Sequence, residues 1–198
     1  TVANYMTTPI AGFDALTLLY RSRQTGGSGS FVMYEGEKTY NMSLAPQGAE
    51  HIRTDAGQWD TTVSAVQGDF LTEHGIRGMW INYSNDESHV PVQAVFRTTR
   101  GYFKILLSGQ QMVEPEVETP APVAIQTPKP TTTPRPTPTP YIDNQALPAE
   151  LGFQLGEKLN YRVTNGGRPV ANVQLSAPAR KKISGEDSLL LTASVISG

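Results

Sequence analysis

His51, His74 and His89 are the residues of this chain best suited to carry a proton or bind a metal at neutral pH. A zinc site needs three or four ligands converging on one point. None of the three lies in a His-Glu-x-x-His pattern or close to another histidine, and they are spread along the expected hairpins. The spacing therefore predicts no metal. Carboxylates precede two of them, Glu73 before His74 and Asp86-Glu87 before His89. A carboxylate beside an imidazole is not a triad, and Asn85-Asp86-Glu87-Ser88 reads first as a turn. Ser64 and Ser84 lack the Gly-x-Ser-x-Gly setting that presents a nucleophile. Gly26-Gly27-Ser28-Gly29 follows an expected helix, whereas a phosphate cradle precedes one. Asp60, Asp69 and Glu73 are the carboxylates a sheet can bring together for glycoside hydrolysis; the plainer reading leaves them on the surface. No catalytic residue and no cofactor is assigned.

The aromatic residues give a better lead. Trp59, Trp80, Tyr83 and Tyr102 fall in or beside expected strands. Their rings are amphipathic, and on a concave sheet they can hold an apolar or sugar ligand. They are the candidate ligand-binding residues, with core filling as the competing role.

Composition narrows the partners. The chain has 198 residues, 38% of them hydrophobic and 17% charged, with a net charge of −2. Its nearest approach to a basic run, Arg180-Lys181-Lys182, reads as a solvated strand end, so no nucleic-acid partner is expected. No stretch of 18 apolar residues occurs, so no helical membrane span is expected. There is no cysteine, which removes disulfides, thiolate catalysis and cysteine-ligated metal.

The elements that must position the aromatics lie on either side of a proline-rich stretch. Nine of the 15 prolines fall between Glu114 and Tyr141. Thr-Pro pairs join neither a helix nor an inner strand, and they favour an extended spacer. The expected organisation is thus residues 1–113, a Pro/Thr-rich linker at 114–141, and residues 142–198. Residues 13–22 read as the one helix, capped by Asp14, with Phe13, Leu16, Leu19 and Tyr20 on one face. Hairpins follow at 30–44, 50–66 and 75–99, then a strand at 102–108. Pro91 marks a strand start or an edge. After the linker come strands at 158–164 and 170–176 around Asn165-Gly166-Gly167, and a further hairpin at 181–196. The fold class is mainly β: a curved antiparallel sheet or barrel with one short helix.

With the strands placed, several stretches resemble the bacterial family called domain of unknown function 3108. Phe153-Gln154-Leu155-Gly156-Glu157-Lys158-Leu159-Asn160-Tyr161 is similar to its opening, with Gly166-Gly167-Arg168-Pro169-Val170 after it. The helix at 13–22 resembles one from the family's middle. Thr54-Asp55-Ala56-Gly57-Gln58-Trp59-Asp60 is similar to one of its turns, and Met79-Trp80-Ile81-Asn82 through Val90-Pro91-Val92 to its closing hairpin. The order is reversed here. Either the chain is a window holding the end of one copy and the start of the next, or it is a permutant whose halves complete each other. The abrupt ends favour a fragment. The resemblance implies an exported envelope protein, periplasmic or associated with the outer membrane, with a signal peptide upstream in the parent. It also implies a lipocalin-like or lipoprotein-carrier-like sheet, and it carries over no catalytic residue.

The expected function is an exported, non-enzymatic β-domain that binds a lipid, a glycan or an envelope protein. The alternatives are a glycan-acting hydrolase using carboxylates such as Asp60 and Glu73, and a structural spacer or assembly protein.

Overall fold

A computed structural model describes residues 14–36, 38–115, 151–183 and 186–197. The expected spacer at 114–141 lies outside the described residues, apart from its first two. The first described element is helix α1 (Ala15–Arg23), where Asp14 accepts from the Thr17 amide at 2.9 Å and from its hydroxyl at 2.7 Å. This cap satisfies an amide that the helix itself leaves unpaired. The strands that follow are β1 (Gly29–Glu35), β2 (Lys38–Thr54) and β3 (Gly57–Gly68). A five-residue helix, α2 (Asp69–Glu73), leads to β4 (Arg77–Ser84), β5 (Pro91–Thr98) and β6 (Gly101–Met112). After residue 151 come β7 (Glu157–Asn165), β8 (Arg168–Ile183) and β9 (Glu186–Ser197).

The nine strands of the described residues form one antiparallel sheet in which spatial order equals sequence order. The sheet is mainly β and curved, as expected, but it does not close into a barrel. β1 and β9 are its two end strands, and α1 packs against both. The segments before and after the proline-rich stretch share this sheet, because β6 pairs with β7 from Phe103↔Asn165 to Met112↔Glu157.

Two strands run longer than the sequence pattern predicts. β2 joins residues read as parts of two hairpins, passing a bulge between Pro46 and Gly48. β8 likewise absorbs 181–183, which read as a separate strand, through a bulge between Ser176 and Ala179 that contains Pro178. A bulge accepts a proline because one residue there leaves the ladder. Pro91 does open a strand, β5, and that strand is central.

Apolar side chains collect in two clusters. One joins Leu18 with Met33, Met42, Leu44, Val66, Ile81 and Tyr83. The other joins Val90, Leu107, Leu159, Tyr161 and Leu175, so it draws on both sides of the proline-rich stretch. Leu19 of α1 packs against both. Between the segments lies a buried ion pair, Arg23 to Glu157, with side chains 1% and 3% exposed. Arg23 donates to both carboxylate oxygens, at 2.5 and 3.1 Å, and to the Ser88 carbonyl at 3.0 and 2.9 Å. Gln110 adds a donor to Glu157 at 3.3 Å, and the Tyr20 and Phe153 rings flank the guanidinium.

Candidate functional site

The register of the central strands sorts alternate residues to opposite faces. Ile81 pairs with Ala94 and Ala94 with Ile105, and all three pack into the apolar clusters. Trp80 pairs with Val95, Val95 with Lys104, and Asn82 with Gln93, so these residues share the other face. On that face a groove of about 450 Å³ is lined by Trp80, Asn82, Gln93, Val95, Tyr102 and Lys104. Beyond its bulge, β2 approaches β6 and supplies Gln47 to Glu50 as a further wall. Asp55, at the tip of the β2–β3 hairpin, reaches β7 and pairs with Arg162 at 2.7 Å.

The four candidate aromatics separate into three places. Trp80 and Tyr102 meet in this groove and keep 36% and 43% of their surface exposed. Trp59 packs against the second cluster, its indole N–H donating to the Thr54 hydroxyl at 3.2 Å. Tyr83 is fully buried in the first cluster, its hydroxyl 2.7 Å from that of Ser22, and has no surface to offer a ligand. Alternation in β4 explains the split: positions 80 and 83 point to opposite faces.

A polar chain runs through the groove. Asn82, 1% exposed, donates to Glu50 Oε2 and to Thr61 Oγ1, each at 3.1 Å. Its carbonyl oxygen accepts from Gln93 Nε2 at 3.2 Å. Thr61 in turn donates to the Glu50 carbonyl at 2.8 Å. A buried amide bonded on each side fixes the orientation of its neighbours, so Glu50 and Gln93 are held in place. Sequence reading missed Glu50, Asn82, Gln93 and Lys104. The signal available was a two-residue spacing of Asn82 from Trp80, of Gln93 from Val95 and of Lys104 from Tyr102, which becomes legible only once the register is known; Glu50 carried no such signal.

The residues considered for catalysis disperse. Asp60 pairs with His51 at 2.8 Å on the β2–β3 hairpin, and the hydrogen bond that the imidazole donates to Asp60 pushes its pKa up. Glu73 of α2 binds Lys38 and Tyr40, and the Lys38 ammonium holds its carboxyl below the usual range. Asp69 begins α2 beside a separate hollow with Phe31 and Met42. His74 bonds Glu35 and the Phe70 carbonyl. Among the described residues, no group of three or more His, Cys, Asp or Glu converges as metal ligands. No helix among them is long and apolar enough to cross a membrane. Comparison with known proteins finds no family model, no curated protein and no solved structure that matches the chain.

Proposed function

We propose that this chain is a non-catalytic binding domain whose ligand lies in the groove between Trp80 and Tyr102. One observation carries the reading: two partly exposed aromatic rings frame a pre-set polar chain, Glu50–Asn82–Gln93, on the face of the sheet opposite the core. Pockets of roughly 300–1,000 Å³ with few, well-placed polar groups are the usual form of small-ligand sites. The hydrolase reading has less support, because Asp60 and Glu73 stand on separate elements in ion pairs of their own and neither lines the groove. The spacer reading leaves the exposed rings without a role. The bacterial envelope is the proposed compartment, and it rests on the resemblance to domain of unknown function 3108.

The test is an amide and indole shift map of the ¹⁵N-labelled protein against a fragment library. Shifts should gather at the Trp80 indole N–H and at the side-chain amides of Asn82 and Gln93. Trp80→Ala should remove those responses while melting within about 1 kcal/mol of the parent, as expected for a side chain at the surface. Perturbations clustered elsewhere, or none, overturn the proposal.

A further inference from the structure

We infer that the ligand of this groove is a neutral saccharide, an inference that rests on the binding reading above. A sugar ring offers one apolar C–H face and a rim of hydroxyls, each both donor and acceptor. Its receptor needs a ring-sized apolar platform next to fixed donors and acceptors. The groove supplies both. Trp80, Tyr102 and Val95 form the platform. Asn82 has both amide hydrogens engaged, by Glu50 and Thr61, and its oxygen engaged by Gln93. It therefore acts as a brace, and the free valences lie on its neighbours. Glu50 Oε1 and Gln93 Oε1 remain as acceptors with no hydrogen-bond partner among the described residues. The Lys104 ammonium and the Tyr102 hydroxyl remain as donors there on the same terms.

The charges narrow the class further. Among the residues that line the groove, Glu50 contributes one negative charge and Lys104 one positive charge, which together favour a ligand without net charge. An acyl chain would bury Glu50 Oε1, Gln93 Oε1 and the Lys104 ammonium against hydrocarbon with nothing to bond those atoms. A nucleic-acid strand would find only Lys104 among the lining residues and Arg97 over the Tyr102 ring, where its phosphates need several cations, and Glu50 would repel them. A saccharide uses every feature at once, and about 450 Å³ gives room for a short one.

The experiment uses the full chain, with cellotetraose, maltotetraose and chitotetraose as probes and phosphatidylglycerol vesicles as the contrast. Binding is read from tryptophan emission and from the Trp80 indole and Gln93 side-chain resonances. At least one tetrasaccharide should bind and move both resonances. Trp80→Ala should weaken it at least tenfold, about what one stacking ring contributes. Glu50→Gln should also weaken it about tenfold, as expected for loss of a charged acceptor. Trp59→Phe, outside the groove, should leave affinity unchanged. If the vesicles move the groove resonances and no tetrasaccharide does, the saccharide class falls and the binding reading stands. If no probe moves them, the saccharide inference falls, and the fragment map decides the binding reading separately. Saccharide binding that survives both Trp80→Ala and Glu50→Gln also overturns the inference.

Discussion

Arg23 carries a full charge at 1% exposure, so its stability depends on its partners being present. Glu157 and the Ser88 carbonyl meet it from two sides, at 2.5 to 3.1 Å. Removing one charge strands the other, which costs about 3–5 kcal/mol in buried pairs, whereas apolar replacement of both costs far less. In urea melts, Glu157→Leu and Arg23→Met should each destabilise by about that amount, and the double variant by clearly less than either. Equal or additive losses would mean the pair does not act as a unit. Near this pair stand three buried tyrosines. Burial pushes Tyr20 up to about 12, and it raises Tyr83 and Tyr161 further. A raised folded pKa means that the unfolded chain gives up its proton first. Stability is therefore whole below the ordinary phenol value of 10.0 and falls as pH climbs from there through the folded values. Denaturant midpoints should hold between pH 7 and 9 and drop steeply above pH 10, with phenolate absorbance from these three tyrosines appearing only as the chain unfolds. Early absorbance from all eight tyrosines would contradict their burial.

At the scale of elements, the turn after α1 is the tightest point. Gly27 has φ of +77°, and a Cβ there would lie well inside 3.0 Å of the Tyr83 ring and the Ser64 hydroxyl. Gly27→Ala should therefore cost about 2–5 kcal/mol, from backbone strain and overpacking together. Gly36→Ala is the control, since its φ of +60° brings strain but nothing lies within 4 Å. It should cost about 1 kcal/mol, and equal losses for the two would point away from the Tyr83 contact. Much of the element pattern was legible in the sequence because it rests on local chemistry. Asp14 caps α1, Asn165-Gly166-Gly167 turns β7 into β8, and alternation marks β5. The failures share one cause. Residues 45–49 and 177–180 fell between expected strands, yet bulges carry β2 and β8 through them. α2 is too short for periodicity to reveal. Within the candidate site, Trp80 and Tyr102 were identified by type alone. Their polar partners were not, because Glu50, Asn82, Gln93 and Lys104 come from four strands and only the register brings them together. The Arg23–Glu157 pair was equally hidden: Arg23 looks like an ordinary basic residue in a last helical turn, and its partner lies 134 positions away.

For the whole molecule, the decisive ladder is β6–β7, which joins the segments on either side of the proline-rich stretch. Amides of β7 should exchange as slowly as those of β5, since Leu159 and Tyr161 are buried with Leu107 in one cluster. Fast exchange throughout β7 beside a protected β5 would mean that the second segment is not part of a common fold. The strand order has a mechanical consequence as well. No strand threads between two others, so the sheet can lose its last strand without parting any ladder except β8–β9. A force drawing the end of β9 away from β8 loads that ladder like a zipper, one bonded pair after another, rather than in shear. The exposed Val195 and Ile196 offer little packing to resist it. Next to yield would be β7–β8, then β6–β7, and only after those does tension reach the strands that frame Trp80 and Tyr102. Under load from that side, the groove outlasts the edge.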